Sequence, residues 1–118
     1  MNDFEIGYIM GLVVGEGSFT GDRRQACLQV KMHERDPQPL RELQRLLGGC
    51  VFGPYNHNDR QYYVYALRGR ALARAIPLLK DRLPSSWKRQ QFEAWLEKYR
   101  EHLEHLTTLP PRRGEVIP

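Results

Sequence analysis

The sequence has few cysteines and no long apolar run, and each absence excludes a class of protein. The two cysteines, Cys27 and Cys50, lack the paired spacing of a zinc site, and we expect both to be reduced. The longest apolar stretch, Ile6–Gly15, is about half of the roughly 20 residues that a membrane helix needs. Asp3 and Glu5 are atypical of a signal peptide. The sequence therefore predicts an intracellular protein without a membrane partner.

Acidic residues are nearly absent between Arg60 and Arg89. This segment has one acid, Asp81, against eight basic residues, which are Arg60, Arg68, Arg70, Arg74, Lys80, Arg82, Lys88 and Arg89. The whole chain has 18 Lys and Arg against 14 Asp and Glu, for a net charge of +4. The excess is therefore concentrated in one part of the chain, which indicates a surface that binds phosphate groups.

Internal repeats and low-complexity segments are also lacking, and a chain of 118 residues fits one compact domain. The apolar residues that can form a core lie within residues 4–106. The Pro-rich end after Leu109 reads as unpacked chain. We therefore predict one domain over residues 1–106 and a flexible tail over residues 107–118.

Residues 4–16 form a segment that is apolar nearly all round, FEIGYIMGLVVGE. This pattern predicts a helix that is buried on more than one side. Gly11 and Gly15 lie four residues apart on one face, and each costs about 1 kcal/mol relative to Ala in a helix interior. Their presence indicates close packing on that face, against either a second subunit or the second helix of the chain. Gly17 is predicted to end the helix as a left-handed cap.

A hairpin and a second helix are predicted next. Ser18–Thr20 and Ala26–Met32 alternate with the two-residue period of strands, and the polar residues 21–24 form the turn. In the second strand one face is apolar and the other mostly polar, so one face packs and one is open. A helix is predicted from Pro37 to Leu47, capped by Asp36 and ended by two glycines.

The rest of the chain predicts a second hairpin and two more helices. The hairpin joins residues 50–52 to residues 61–68 through a long turn over residues 53–59. One helix is predicted over residues 70–80 with a break near Pro77, and another from Ser85 or Ser86 to Leu106. The apolar residues of this last helix recur every three or four positions, which is typical of a buried face: Phe92, Trp95, Leu96, Tyr99, Leu103 and Leu106. The order α-ββ-α-ββ-α-α predicts the α/β class, in an α+β arrangement with an antiparallel sheet.

One segment resembles a known motif. Residues 9–19, IMGLVVGEGSF, resemble the motif for which LAGLIDADG endonucleases are named, in particular the variants that end in Gly-Glu-Gly-Ser-Phe. Residues 36–49, 65–70 and 88–91 are similar to later segments of the family, so that the resemblance covers about residues 4–100. It implies an αββαββα fold with a saddle-shaped antiparallel sheet. Val14 departs from the motif, which usually has its first acid there; that acid is generally not the metal ligand.

The resemblance implies a homodimer joined through this helix, with Tyr8, Gly11, Leu12 and Gly15 at the interface. Two copies of Glu16 would then converge, and in the family this acid is the metal ligand. A carboxylate at a helix carboxyl end is disfavoured by roughly 0.3–1 kcal/mol, and a bound cation reverses that sign. Oxygen ligands suit Mg²⁺. The expected cofactor is therefore Mg²⁺, held by Glu16 and Gly15.

Two further residues are implied as catalytic. Lys88 matches a basic residue that the family keeps near its active site, where it can stabilise a hydroxide or the developing phosphate charge. Lys80 and Arg82 are alternatives, because the alignment is ambiguous in the segment that follows them. The polar position that orders water in the family falls here at Met32 or His33. Met32 cannot fill that role, so His33 is the candidate.

The polar face of the predicted sheet is expected to enter the major groove of double-stranded DNA, as in the family. Gln suits adenine and Arg suits guanine, while other basic residues meet phosphates. The residues of this face are Thr20, Arg23, Arg24, Gln25, Gln29, Lys31, Arg60 and Arg68.

The resemblance implies a site-specific homing endonuclease that hydrolyses phosphodiester bonds in DNA. The absence of intein flanks favours an intron-encoded or free-standing enzyme, in the cytoplasm of a bacterium or in an organelle. The alternative is a catalytically inactive nucleic-acid-binding relative, either an RNA splicing maturase or a DNA-binding regulator. Glu16 and Lys88 favour the enzyme, whereas Met32 favours the alternative. An unrelated α/β protein with an incidental basic surface is disfavoured by the motif and the strand order.

Overall fold

The computed structural model describes residues 1–33 and 35–108, and the C-terminal part of the predicted tail, residues 109–118, lies outside this range. Within the described residues the chain forms five helices and a four-stranded sheet. The elements are α1 (Asp3–Glu16), β1 (Gly17–Gly21), β2 (Ala26–Met32), α2 (Gln38–Leu47), β3 (Cys50–His57), β4 (Arg60–Leu67), α3 (Gly69–Arg82), α4 (Trp87–Lys98) and α5 (Arg100–Thr108). No helix in residues 1–33 or 35–108 is long and apolar enough to span a lipid bilayer.

The sheet is antiparallel and has the strand order β1-β2-β4-β3, so that the two hairpins lie side by side. The predicted alternation along β2 is confirmed, because Ala26, Leu28 and Val30 are fully buried. Residues of all five helices join these side chains in one hydrophobic cluster. The helices therefore cover one face of the sheet and leave the other face open. This arrangement confirms the predicted α+β class with an antiparallel sheet.

Helix α1 begins where the sequence predicts. The Asn2 side chain accepts a hydrogen bond from the Glu5 N–H at 2.8 Å, and the Glu5 side chain accepts from the Asn2 N–H at 3.0 Å, which forms a capping box. Glu5 also pairs with Arg45 of α2 at 2.8 Å. One side of the helix buries Ile9 and Val13 completely. On the opposite side, no described residue covers the three glycines of the helix.

Gly17 is not the left-handed cap that the sequence predicts. Its φ of −77° and ψ of 151° are extended, and it is already the first residue of β1. Glycine is required here by contact rather than by backbone angle, because a Cβ at Gly17 would lie 2.5 Å from the Val13 carbonyl oxygen. The chain therefore turns directly from α1 into the sheet.

Gly17→Ala is expected to lower the free energy of unfolding by about 1–3 kcal/mol, since the new methyl group must displace backbone. Gly15→Ala is the matched control, because a Cβ there meets nothing within 4 Å. That variant is expected to leave the monomer unchanged or up to about 1 kcal/mol more stable, as helix propensity favours Ala. Urea denaturation of both variants measures the difference; equal stabilities would contradict the contact argument.

Three other predicted boundaries were wrong. Pro77 does not break α3, which continues to Arg82 with the proline at an exposed position. The last predicted helix is two helices, because α4 ends at Lys98 and the next residue, Tyr99, has a φ of −107° and a ψ of 20°, which are not helical. Strand β3 runs on to His57 through an irregularity between Phe52 and Tyr55, so the turn is only Asn58-Asp59. The local sequence is rich in turn formers, but pairing with β4 overrides that preference.

The start and end of α2 agree with the sequence more closely. Asp36 accepts a hydrogen bond from the Gln38 N–H at 3.0 Å, although the helix begins at Gln38 and not at Pro37. Gly48 and Gly49 end the helix with φ values of +80° and +93°, a conformation that favours glycine.

The last helix, α5, extends through Thr108, two residues beyond the predicted domain.

Candidate active site and nucleic-acid interface

The structure brings Glu16 and Lys88 to the same corner of the molecule. Glu16 is the exposed last residue of α1. Lys88 lies in the first turn of α4, and its Nζ donates a hydrogen bond of 2.6 Å to the carbonyl oxygen of Gly17, the residue after Glu16. Ser86 caps α4 by accepting from the Arg89 N–H at 3.1 Å, which fixes the helix start that carries Lys88. A basic side chain is thus hydrogen-bonded to the residue that follows Glu16, where α1, β1 and α4 join.

Lys80 and Arg82, the alternatives to Lys88, lie at the end of α3. Arg82 pairs with Asp81 at 3.0 Å, and both side chains are exposed. Lys80 lines a groove of about 560 Å³ between α3, α4 and α5, together with Glu93 and Arg100. This groove is on the helical side of the sheet. Of the three basic residues, Lys88 is the one hydrogen-bonded beside Glu16.

The corner offers oxygen ligands for a cation but only a few from one chain. The carboxylate of Glu16 is exposed, and Gly15 before it has open space around it. The last carbonyls of a helix have no intrahelical donor, so the Gly15 carbonyl is available as a ligand. Among residues 1–33 and 35–108 no three His, Cys, Asp or Glu side chains form a metal site. A carboxylate and a carbonyl oxygen are ligands of the kind that a hard divalent cation prefers.

The residues that surround His33 are not those that surround Glu16 and Lys88. It follows the end of β2 and its ring centroid lies 5.5 Å from that of Tyr62 on β4. The same side chain lines a cavity of about 850 Å³ with Arg35 and residues near the β3–β4 turn, among them Arg60. The structure thus places His33 beside the proposed DNA-facing residues.

The outer face of α1 is open along its whole length. Gly7, Gly11 and Gly15 recur every four residues, and a Cβ at any of them meets nothing within 4 Å. Phe4, one turn before Gly7, is 79% exposed. The glycines therefore do not serve packing against α2, which was the intrachain explanation for them.

Tyr8 and Leu12, the other two residues of the predicted interface, are half-buried. Leu12 packs against the edge of the hydrophobic cluster. Burial raises the pKa of Tyr8, and the nearby Glu42 carboxylate raises it further. These two side chains border the glycine row and complete a face with apolar edges and a flat centre.

The outward face of the sheet gathers several of the predicted DNA-binding residues. Thr20, Gln25, Gln29 and Arg68 line one cavity of about 190 Å³. The Nε of Arg68 donates to the Sγ of Cys27 at 3.3 Å. This contact holds the guanidinium against the sheet, because Cys27 lies on the outward face and is itself buried.

The remaining predicted DNA-binding residues lie around this centre. The Nζ of Lys31 is 4.5 Å from the ring centroid of Tyr62, which orients the ammonium over the sheet. Arg60 lies at the β3–β4 turn. Arg23 and Arg24 are exposed in the β1–β2 turn and line a groove of about 610 Å³ with residues of α5, including His102. The basic residues thus extend over the open face and round its edge.

Sequence reasoning assigned no role in the site to the groove between β1 and α4. This groove of about 600 Å³ contains Ser18, Gln91 and Lys98 in addition to Lys88. Trp95 and Tyr99 also line it, although their spacing on α4 marked them only as core residues. The available signal was chemical, because a buried indole N–H or phenol O–H needs a hydrogen-bond partner.

No protein-family model and no curated protein matched the chain. Several solved structures are similar to it. The homing endonuclease I-TnaI is 25% identical with a TM-score of 0.65, over 83% of this chain and 76% of that chain. The LAGLIDADG homing endonuclease I-GzeII, solved in complex with its DNA target, is 27% identical with a TM-score of 0.66, over 92% of this chain. These matches confirm the resemblance to the LAGLIDADG homing endonucleases, whose fold the chain shares.

The LAGLIDADG fold is shared with more distant structures as well. I-SmaMI, solved bound to cleaved DNA, is 18% identical with a TM-score of 0.65 over 87% of this chain. The chain spans 40% of I-GzeII and 39% of I-SmaMI, but 76% of I-TnaI. It therefore corresponds to less than half of the two longer LAGLIDADG chains.

Proposed function

We propose that the chain is a site-specific DNA endonuclease that acts as a homodimer and hydrolyses phosphodiester bonds with Mg²⁺. The observation that carries this proposal is the hydrogen bond from Lys88 to Gly17, which holds a basic group beside the terminal Glu16 of α1. That pairing lies at the end of a helix whose outer face is open and beside a sheet whose outer face is polar. Similarity to endonucleases solved with DNA supports the same function.

The dimer follows from the open face of α1. Two helices can approach closely only where both lack side chains at the contact, and the row Gly7, Gly11 and Gly15 provides such a surface. A twofold axis that runs parallel to α1, alongside this row, would pack the two helices in the same direction and bring their carboxyl ends together, each with its Glu16.

The carboxylate of Glu16 and the carbonyl of Gly15 would hold Mg²⁺, in each case from both chains. When bound, Mg²⁺ polarises phosphate oxygens and activates water for in-line attack. The role of Lys88 is separate, since its ammonium stabilises the negative charge that develops on the phosphate. The Gly17 carbonyl orients that ammonium in the absence of substrate. A related I-SmaMI complex was solved with calcium ions and an uncleaved DNA target, which supports the use of a divalent cation.

DNA recognition is assigned to the outward face of the sheet. Gln25, Gln29 and Arg68 converge on one cavity there, and they carry the side-chain groups that read adenine and guanine edges in the major groove. Lys31 and Arg60 lie on the same face, and we assign them to phosphates. His33 borders this surface, so we propose that it contacts DNA or ordered water beside the scissile position.

DNA affinity is expected to fall steeply with salt, because each neutralised phosphate releases counterions. Lys31→Ala should lower the slope of log Kd against log salt by about 1. Lys80→Ala removes the same charge on the helical side of the sheet and should leave the slope unchanged. Fluorescence anisotropy with a labelled duplex, at salt concentrations from about 50 to about 200 mM, measures the slope for both variants. A flat dependence, or equal effects of the two variants, would contradict recognition through this face.

A further inference from the structure

The β1–β2 hairpin is tied to the C-terminal helices by three hydrogen bonds between distant parts of the chain. The Nε1 of Trp95 donates to the Thr20 carbonyl oxygen at 2.7 Å. The hydroxyl of Tyr99 donates to the Asp22 carbonyl oxygen at 2.8 Å. The N–H of Ala26 donates to Nδ1 of His102 at 3.2 Å. These bonds begin at the free edge of β1 and continue round the turn to the first residue of β2.

The packing around these bonds leaves the hairpin little room to move. Trp95 and Tyr99 are buried, and the Phe19 ring lies 5.2 Å from the Trp95 ring. A Cβ at Gly21 would lie 2.7 Å from the Tyr99 hydroxyl oxygen, so only glycine permits this approach. A displacement of the turn would therefore break hydrogen bonds that are partly buried, at a cost greater than for fully exposed bonds.

The turn is also rigid within itself. The Asp22 carboxylate accepts from the N–H groups of Arg24 at 3.0 Å and Gln25 at 2.8 Å. These two bonds hold the pKa of Asp22 below its usual value, so the carboxylate is charged near neutral pH and retains both bonds. The Asp22 N–H donates in turn to the Gln25 carbonyl at 3.0 Å. The turn thus moves as one body, and its position depends on what holds its two ends.

We propose that Trp95, Tyr99 and His102 are positioning residues that fix the β1–β2 hairpin for sequence reading, an inference that rests on the proposed DNA function. The hairpin carries Thr20 and Gln25 into the recognition cavity of the sheet. Bidentate recognition of a base edge requires placement within about 0.5 Å, whereas contact with a phosphate tolerates movement. Loosening the hairpin should therefore reduce sequence discrimination while leaving non-specific affinity unchanged.

The test uses three substitutions with graded chemistry and one control. Tyr99→Phe deletes only the donating hydroxyl. His102→Leu removes the acceptor, whereas His102→Asn retains one, because the Asn Oδ1 and the His Nδ1 are attached to the same side-chain carbon. His105→Leu is the control, since His105 is exposed one turn further along α5. Circular dichroism confirms folding, and Tyr99→Phe carries the test if His102→Leu does not fold.

The hydrogen bonds that Trp95, Tyr99 and His102 form with the hairpin are called the clamp below. Two readouts separate the clamp from the DNA function. Amide hydrogen exchange over residues 20–26 is measured without DNA, and the preferred sequence is measured by selection from a randomised duplex library. We expect Tyr99→Phe and His102→Leu to speed exchange of the Ala26 amide at least tenfold and to lower the sequence preference at the positions read by the hairpin. His102→Asn should restore both readouts, and His105→Leu should change neither.

Unchanged exchange in Tyr99→Phe and His102→Leu would overturn the clamp itself. Faster exchange with an unchanged selected sequence would overturn the positioning role, since the clamp would then be only structural. Failure of the unmodified protein to select any sequence would refute the proposed DNA function instead. In that case faster exchange in the variants would still identify the clamp as structural and remove its role in reading DNA.

Discussion

Glu16→Gln is expected to abolish DNA cleavage in magnesium while duplex binding persists. Gln keeps the size of the side chain but lacks the negative charge that a hard cation requires. We expect the cleavage rate to fall by about three orders of magnitude or more, which corresponds to roughly 4 kcal/mol. A gel assay of a supercoiled plasmid carrying the selected site measures cleavage, and anisotropy on the same site measures binding.

Loss of folding would not account for this result. A carboxylate at the carboxyl end of α1 is disfavoured by about 0.3–1 kcal/mol, so the Gln variant should be at least as stable as the parent without metal. Glu104→Gln is the matched control, because Glu104 is exposed on α5. Cleavage by Glu16→Gln at the parental rate would rule out Glu16 as the metal ligand. A parent that binds its selected site tightly but never cuts it would identify the chain as a catalytically inactive DNA-binding relative.

Gly11→Leu is expected to convert the dimer into a monomer. The leucine side chain would occupy the space into which the second α1 helix must pack, and we expect the dimer Kd to rise at least about a hundredfold, or roughly 2.7 kcal/mol. The monomer should remain folded, because a Cβ at Gly11 meets nothing within 4 Å among residues 1–33 and 35–108. Sedimentation equilibrium at micromolar concentration, with and without a DNA duplex, measures the mass.

Gly11→Ala gives a second test in which two effects have opposite signs. Helix propensity should make the monomer up to about 1 kcal/mol more stable, while the added methyl group should weaken the dimer. Thr107→Leu, an exposed change on α5, should leave the mass unchanged. If the unmodified protein is monomeric with and without DNA, the assignment of the glycine row to a subunit interface is wrong.

Gly11→Leu and Glu16→Gln, two variants of α1, also test each other. A Gly11→Leu monomer retains Glu16 and Lys88 but has only one carboxylate at the corner, and the described residues contain no group of three side chains that can bind a metal. We therefore attribute cleavage to the pair of chains and not to one. The two substitutions should give the same loss of cleavage for different reasons, with binding of a full site weakened only in Gly11→Leu.

The sequence predicted which residues form the candidate site more fully than it predicted which residues they contact. Glu16, Lys88 and the glycines of α1 were found through the motif, and the polar positions of β2 were found through two-residue alternation. The same reasoning named His33 as the candidate for ordering water, and the structure shows its ring packed on Tyr62. It also treated Trp95 and Tyr99 as core residues only, because helical spacing reports burial and not the direction of a single N–H or O–H group.

The sequence by itself determined the order of the elements as far as α3, the two faces of β2 and the apolar character of α1, because these depend on patterns within one segment. Only the tertiary structure decided which basic residue lies beside Glu16, since the contact between Lys88 and Gly17 joins residues 71 positions apart. Only the tertiary structure also showed that α4 ends before Tyr99, whose hydroxyl donates a hydrogen bond to the β1–β2 turn. Local propensity carries no information about partners so distant in sequence, and packing of the helices against the sheet supplies it.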